Sequence, residues 1–283
     1  MLQELDEKRS FFELVTRMAS LHYLEGKTQA EVAVTLGISR QKVQRLLRQA
    51  RELGIVEINV RNLTTVSLDL EKQLRSTFKL KDVVIAATHP AELERRHSVA
   101  RAAASYLERH LSDGMVLTVG MGRNTGEIPD FFYPSRSINC TFVSAMGSSP
   151  HVGETVNPNN ICRRLAANSK GRATYLHAPA NVESKRVRDI LFAQEAIGPI
   201  INQAKKADLA VVGIGTPSDD ATLVRMDCIS KTEAKRLAES GVAGDLLGTC
   251  FDEEGQVIAT DMHGRLVGLT LEDLRHIPTV IAV

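Results

Sequence analysis

The chain has 283 residues, of which 43% are hydrophobic and 24% are charged, and its formal net charge is +1. A chain of this size buries a substantial core and is expected to form two domains. The near-neutral charge argues against a protein that coats nucleic acid without regard to sequence, because such binding needs extended positive charge.

No apolar run approaches the ~20 residues that span a bilayer, and the acidic N-terminus has no apolar signal-peptide core. We therefore expect a soluble protein of the cytoplasm that does not contact a membrane. The cysteines lack the paired spacing of zinc ligands, so we expect most of them to be free buried thiols, with no metal and no cofactor bound. They are Cys140, Cys162, Cys228 and Cys250.

Residues 28–51 have the spacing of two short helices joined by a tight turn. Ala33 is small enough to let the helices approach closely, Gly37 supplies the turn, and Ser39 is placed to cap the second helix. The apolar positions that hold the two helices nearly perpendicular are Val32, Leu36, Ile38, Val43 and Leu46. This pattern predicts a DNA-reading helix-turn-helix.

Residues 40–51 are basic and contain no acidic side chain. We expect Arg40, Gln41 and Gln44 to contact base edges, because guanidinium and amide groups match the hydrogen-bonding edges of guanine and adenine. The side chains expected to contact phosphates are Lys42, Arg45, Arg48 and Arg51. The remaining predicted DNA contacts are Thr28, Gln29 and Ser39. The alternative is an ordinary helical hairpin with a solvated basic face.

The flanking segments complete a predicted DNA-binding domain over residues 1–60. Upstream, apolar positions at helical spacing predict a helix that packs over the pair. These positions are Phe12, Val15, Met18, Ala19, Leu21, Tyr23 and Leu24. Downstream, Gly54 ends the basic helix and residues 55–60 alternate as a strand, which predicts a wing. Residues 61–66 predict a linker, after which Ser67 is placed to cap a helix.

The remaining residues, 67–283, predict a second domain in which apolar strands alternate with helices. The predicted strands are at 83–87, 115–119, 140–143, 173–176, 209–212, 257–259 and 279–283. The predicted helices are at 93–110, 158–170, 183–205 and 230–240. This alternation predicts a mostly parallel, Rossmann-like sheet covered on both faces. The expected fold class is therefore α/β, with a helical helix-turn-helix (winged) domain preceding the parallel-sheet domain.

Ligands of parallel sheets bind beyond the carboxyl ends of the strands, where this sequence has several glycine-containing loops. The first loop offers backbone amides and polar side chains to a phosphate or polyhydroxy ligand. Its candidate residues are Gly120, Gly122, Arg123, Asn124 and Thr125. Two further loops contribute Gly147 with Ser148 and Gly213 with Gly215. Asp245 lies beside glycines, where its carboxylate could accept from sugar hydroxyls.

Each of these features also has an ordinary structural explanation. A glycine after a strand is usually part of a plain turn, and Asp245 is equally compatible with a solvated or capping aspartate. The shared position of the loops after predicted parallel strands favours a common ligand site.

Several motifs accompany the helix-turn-helix. They are Val-Gly-Met-Gly-Arg-Asn-Thr at 119–125, Ala-Pro-Ala at 178–180, Ala-Asp-Leu-Ala-Val-Val-Gly-Ile-Gly at 207–215, Gly-Val-Ala-Gly-Asp-Leu-Leu-Gly at 241–248, Phe-Asp-Glu-Glu-Gly at 251–255, and Leu-Glu-Asp-Leu-Arg-His-Ile-Pro at 271–278. Together they resemble the SorC family of bacterial sugar-responsive transcription regulators, along nearly the whole chain.

The resemblance implies an effector domain built like sugar-phosphate isomerases, with binding retained and catalysis lost. It also implies homodimers or homotetramers that bind operator DNA and respond to a phosphorylated sugar or polyol. By resemblance, Asn124 and Thr125 belong to the phosphate-binding loop, and Gly147 and Ser148 to a second ligand-contacting turn. Asp245 corresponds to an acidic residue that faces the sugar.

The sequence departs from the family pattern in two respects. Met121 and Gly147-Ser148 stand where many members have a bulky residue and a Gly-Gly pair. The family pattern also continues past the final strand with a Gly-Gly turn, a ligand-contacting lysine and a closing helix, whereas this sequence ends at Val283. Either the sequence is a shortened form or part of the phosphate site comes from elsewhere, and we expect a weakened site.

We therefore expect a transcriptional regulator of a carbohydrate or polyol catabolic operon, with repression relieved by effector favoured over activation. The rival hypothesis is an enzyme, a sugar-phosphate isomerase or deaminase that uses titratable residues such as His151, His177, His263 and Asp245. No general base has a partner at a defined spacing, which argues against catalysis. A third hypothesis is a membrane-surface or scaffold protein that uses the basic helix.

Overall fold

The computed structural model describes residues 2–56 and 65–283. The chain divides into two compact units, Met1–Thr64 and Thr65–Val283. Within the described ranges, no helix combines the length and the apolar character that crossing a bilayer requires.

Local sequence signals set the ends of the helices in the first unit. These helices are α1 (Leu2–Ala19), a π-helical turn (Ser20–Leu24), α2 (Gln29–Leu36) and α3 (Arg40–Glu52). Thr28 begins α2 through reciprocal hydrogen bonds with Glu31. Gly37 ends α2 with a φ of 64°, in the left-handed region that glycine adopts freely. Ser39 accepts from the backbone nitrogen of Lys42 (3.2 Å) and begins α3. The predicted helix-turn-helix is confirmed.

The prediction for the upstream helix was partly wrong. The apolar positions that are buried as predicted are Val15, Met18, Ala19 and Leu21. In contrast, Phe12, Tyr23 and Leu24 are exposed, Leu24 by 84%. The π-helical turn explains why Tyr23 and Leu24 are exposed, because its wider turn breaks the 3.6-residue spacing on which the prediction rested. The neighbouring Phe11, rather than Phe12, packs against the core.

The predicted wing and linker fall largely on residues 57–64, which lie outside the described ranges. Ile55 and Val56 are half-buried against the core of the first unit. The helix α4 (Thr65–Thr77) begins before Ser67, so Ser67 is not its N-cap as predicted. Thr and Val lower helix propensity by only a few tenths of a kcal/mol, which does not prevent a helix from including them.

The second unit contains a parallel sheet and a small antiparallel sheet. In chain order the strands are β1 (Val116–Val119), β2 (Thr141–Ser144), β3 (Arg172–Thr174), β4 (Leu209–Val212), β5 (Ile214–Gly215), β6 (Gly244–Leu246), β7 (Thr249–Phe251) and β8 (Thr279–Ala282). The larger sheet has the order β3-β2-β1-β4-β8, and every pairing in it is parallel. All residues of β4 are buried, as its continuous apolar pattern predicts. The predicted parallel α/β fold is confirmed.

Helices connect these strands. They are α5 (Glu92–His110), α6 (Arg123–Glu127), α7 (Pro158–Ser169), α8 (Lys185–Phe192), α9 (Gly198–Lys205), α10 (Thr222–Arg225), α11 (Lys231–Glu239) and α12 (Leu271–Arg275). The helix predicted at 183–205 is interrupted and forms α8 and α9. Pro199 has no N–H group to continue a helix but suits the first turn of a new one, so α9 begins beside it.

Strand pairing produced the other differences from prediction. Residues 83–87 form no strand, and the predicted strand at 257–259 is reduced to a bridge between Phe251 and Val257. The antiparallel sheet β5-β6-β7 was not predicted, and it places Asp245 on a strand instead of in a glycine loop. Short segments become strands only where a partner lies alongside, which the local sequence does not specify.

The cysteines are free and buried, as predicted. Burial raises the pKa of the Cys162 thiol to about 12, and the pKa of each of the Cys140, Cys228 and Cys250 thiols to about 11. Because the thiolate is the reactive form, these side chains act as packing groups.

We predict that Gly147→Ala destabilises the second unit by about 1 to 3 kcal/mol. An added Cβ atom would lie 2.6 Å from the carbonyl oxygen of Ala178, so the backbone would have to move. Gly153→Ala is the matched control, since a Cβ atom at Gly153 would lie no closer than 4.0 Å to Thr155 Oγ1 and the φ of Gly153 is negative. We expect the control to change the free energy of unfolding by less than about 0.5 kcal/mol. Urea denaturation measures both variants, and equal losses would contradict this packing.

Candidate functional site

The first unit presents the polar face of α3 to solvent. The buried residues of this helix are Val43, Leu46, Leu47 and Ala50. The residues expected to contact DNA that lie exposed on the helix are Arg40, Gln41, Lys42, Gln44, Arg45, Arg48 and Arg51. A buried apolar face and an exposed basic face are the arrangement that a recognition helix requires.

The other expected DNA contacts lie at or near the helix starts. Ser39 is exposed and caps α3, while Gln29 is half-buried at the start of α2. The Thr28 hydroxyl donates to the Glu31 carboxylate at 2.8 Å. Hydrogen bonds from the backbone and side chain of Thr28 lower the pKa of Glu31. Arg48 Nε lies 3.9 Å from Glu52 Oε1. Both side chains are exposed, so this ion pair is too weak to prevent Arg48 from contacting a phosphate.

In the second unit, a cavity of about 260 Å³ lies beside the carboxyl ends of β1, β2 and β4. This is the position at which open parallel sheets bind ligands. The predicted ligand residues that line it are Gly122, Arg123, Asn124, Gly213, Gly215 and Asp245. The structure thus brings together residues from three separate predicted loops.

The other predicted ligand residues lie outside the cavity lining. Gly120 lies beneath it, where a Cβ atom would be 2.7 Å from the Leu247 side chain. The Thr125 hydroxyl is buried and donates to the carbonyl oxygen of Gly122 at 3.0 Å. Both residues therefore shape the loop from within.

Gly147 and Ser148 face a different part of the unit. Gly147 packs against the backbone of residues 178–179. The Ser148 hydroxyl donates to Asn157 Oδ1 at 2.9 Å and lines a separate shallow depression. Met146, one residue earlier, lines the cavity in place of these two residues.

Sequence reasoning missed several residues of the cavity wall. Glu92 and Arg96, from the start of α5, supply charge. The main apolar additions are Met146, Leu223, Met226 and Leu247. The only sequence signal for α5 was helical periodicity, which does not indicate that its first turns reach the carboxyl edge of the sheet.

The charged groups at the cavity form a network of arginines and carboxylates. Arg123 Nη1 lies 2.6 Å from Asp220 Oδ2 and 3.8 Å from Glu92 Oε1. Arg96 Nε is buried without a hydrogen-bond partner among the described residues, because Glu92 Oε1, at 3.7 Å, is too distant. Arg225 and then Arg123 hold the pKa of Asp220 below its usual value.

Asp245 supplies a carboxylate from β6, where it pairs with Gly215 on β5. Burial raises the pKa of this carboxyl, and a hydrogen bond from the backbone nitrogen of Gly248 (3.0 Å) partly opposes the rise. A Cβ atom at Gly215 would lie 2.9 Å from Asp245 Cγ, so glycine leaves room for the carboxylate. None of the histidines considered for catalysis lines the cavity with Asp245: His151, His177 and His263.

Comparison with known proteins extends over nearly the whole chain. The family described as "Putative sugar-binding domain" matches residues 64–283, and the family "Sigma-70, region 4" matches residues 20–53. The transcriptional regulator LsrR of Enterobacter sp. (strain 638) is 32% identical over 278 residues, which cover 96% of this chain and 82% of LsrR. The erythritol catabolism regulatory protein EryD of Brucella abortus (strain 2308) is 28% identical over 262 residues, covering 92% and 83%.

Among solved structures, the full-length sorbitol operon regulator SorC from Klebsiella pneumoniae superimposes with a TM-score of 0.79. The two chains are 27% identical, and the match covers 96% of this chain and 88% of SorC. The chain belongs to the SorC family of transcriptional regulators. This SorC-family protein is a transcriptional regulator, as its relatives LsrR, EryD and SorC are.

We predict that Asp245→Asn changes how the stability of this SorC-family regulator depends on pH. Because the pKa of Asp245 is raised in the folded state, the folded protein holds its proton to higher pH than the unfolded chain does. Wild-type stability should therefore fall as pH rises from about 3.9, the ordinary aspartate value, through the raised folded pKa. The stability of Asp245→Asn should not show this fall, because asparagine carries no titrating carboxyl group.

Thermal denaturation between pH 4 and pH 7 measures the effect, with Asp219→Asn as the control at an exposed aspartate. The melting temperature of Asp245→Asn relative to wild type should increase with pH, while that of the control should not. A constant difference across this range would contradict the raised pKa.

Proposed function

We propose that this chain regulates a carbohydrate or polyol catabolic operon and that a phosphorylated sugar or polyol, bound in the 260 Å³ cavity, controls its affinity for operator DNA. The observation that carries the proposal is the pair of arginines at this cavity. Arg123 lines the cavity, and Arg96 presents a buried Nε atom without a hydrogen-bond partner among the described residues. Guanidinium groups in this setting bind phosphate oxygens strongly.

The lining of the cavity supports a small polyhydroxy ligand. Gly122, Gly213 and Gly215 leave the backbone accessible, and the Asn124 and Asp245 side chains offer hydrogen bonds to hydroxyl groups. The volume is slightly below the range of cavities that hold drug-sized molecules, which suits a small metabolite. The names of SorC and EryD refer to sorbitol and erythritol, both of which are polyols.

The proposed control is a linkage between two binding equilibria. If the effector binds one state of the regulator more tightly, it must shift DNA affinity by the ratio of its affinities for the two states, typically ~1 to 3 kcal/mol. We propose relief of repression by the effector as the direction, which suits a catabolic operon. We also propose a homodimer or homotetramer, because one recognition helix reads few base pairs.

We predict that phosphorylated pentoses, hexoses or polyols raise the melting temperature of the protein and that their unphosphorylated forms raise it less. A ligand that binds the folded state alone at about 100 times its Kd adds about 2.7 kcal/mol of stability. A thermal-shift screen of paired phosphorylated and unphosphorylated compounds measures this.

For any active compound, Arg123→Gln should weaken binding about tenfold through loss of a charged hydrogen bond. Arg172→Gln is the control, since Arg172 is exposed on β3 and does not line the cavity. Stronger stabilisation by the unphosphorylated compounds would contradict the proposed phosphate.

For the DNA interface, we predict different effects for two exposed residues of α3. Gln44→Ala should relax base preference at one operator position at a cost of ~1 to 3 kcal/mol. Lys42→Ala should weaken binding to all sequences similarly and reduce the salt slope by about one. Fluorescence anisotropy with operator variants at several salt concentrations separates the two. Identical behaviour of both variants would contradict the proposed division into base and phosphate contacts.

A further inference from the structure

Asp220 is held between two arginines, of which Arg123 lines the cavity and Arg225 does not. Its Oδ2 atom lies 2.6 Å from Arg123 Nη1, and its Oδ1 atom accepts from Arg225 Nε at 2.9 Å. A carboxylate that accepts from guanidinium groups through both oxygens makes the same kind of contact as a phosphate oxygen pair. Arg123 also lines the cavity, so the anion that it now binds belongs to the protein itself.

The other carboxylate near Arg123 is a weaker partner. Glu92 Oε1 lies 3.8 Å from Arg123 Nη1, beyond hydrogen-bond distance. Asp220 is therefore the carboxylate that a phosphate must displace to accept a hydrogen bond from Arg123 Nη1. Because the Asp220 side chain is 57% exposed, it can leave the arginines for water at a modest free-energy cost.

We infer that Asp220 is an internal competitor of the effector phosphate. Its carboxylate binds Arg123 and Arg225 until a phosphorylated ligand displaces it from Arg123. This inference rests on the proposed phosphorylated effector. It makes Asp220 a specificity-determining residue. A neutral sugar cannot replace a carboxylate on the Arg123 guanidinium group, whereas a phosphate brings the negative charge that the exchange requires.

The exchange also couples the cavity to a defined segment of the chain. Asp220 lies two residues before α10, and Leu223 and Met226 from this region are buried in the core while also lining the cavity. Displacing Asp220 from Arg123 removes the ion pair that joins this segment to α6 and thereby loosens the link between them. The effector-bound and free forms should therefore differ between residues 216 and 226.

The test compares Asp220→Asn with Asp219→Asn. Both substitutions remove one negative charge from adjacent exposed positions, but Asp219 forms no ion pair with any residue in the part of the chain that the structure describes. Inorganic phosphate serves as the probe, titrated by calorimetry and by thermal shift. Asp220→Ser provides a second neutral variant, and melting temperatures without phosphate establish that each variant is folded.

We expect Asp220→Asn and Asp220→Ser to lower the Kd for phosphate about three- to tenfold, because the competitor is lost. Asp219→Asn should bind as wild type does, or with a gain of less than about twofold from the lost charge alone. Without phosphate, hydrogen exchange over residues 216–226 should be faster in both Asp220 variants than in Asp219→Asn.

The outcomes separate the inference from the proposed function. If all proteins bind phosphate equally well, Asp220 does not compete and the inference is wrong, while the proposed phosphorylated effector stands. If no protein binds phosphate and unphosphorylated sugars stabilise them all, the proposed phosphorylated effector is overturned, and the inference with it. Faster exchange together with unchanged phosphate affinity would show that Asp220 anchors the segment without competing, which also overturns the inference.

Discussion

The cavity of the second unit exists because β1 pairs in parallel with β2 on one side and with β4 on the other. Val119 lies opposite both Ser144 and Val211, so three distant parts of the chain end at one edge of the sheet. The pairing continues past the strand ends, where the Gly120 nitrogen donates to Val211 (2.8 Å) and the Ala145 nitrogen donates to Val119 (2.9 Å). These bonds fix the direction in which each following segment leaves the sheet. The cavity is therefore a consequence of strand direction as much as of the residues that line it.

Charge at this edge is balanced within the protein. Arg96 and Arg123 lie close to Glu92 and Asp220, so the cavity has little excess charge before a ligand arrives. Asp245 is held on the antiparallel sheet although burial disfavours its charged form. Functional sites commonly retain such unfavourable arrangements, because the ligand or its conformational consequences offset the cost.

The fold was predictable wherever short-range chemistry decides it. Caps and turns such as Thr28, Gly37 and Ser39 involve residues within a few positions of one another, and the helix-turn-helix followed from them. The parallel sheet followed from runs of buried apolar residues. The prediction was wrong where a distant partner or an irregular turn decides the outcome. Residues 83–87 found no partner strand, Tyr23 was rotated outwards by a π-helical turn, and the antiparallel sheet arose from pairing that no local pattern marks.

The positions of Gly122, Arg123 and Gly213 at the carboxyl edge of the sheet could be inferred from local pattern alone, because they follow the buried strands β1 and β4 within a few residues. The groups that meet these residues depend on long-range packing. Asp220 reaches Arg123 from 97 residues further along the chain, and Arg96 comes from a helix that precedes the first strand. The direction in which a loop turns, and the charge that arrives from another element to face it, depend on packing among segments far apart in sequence, which no local pattern of residues contains.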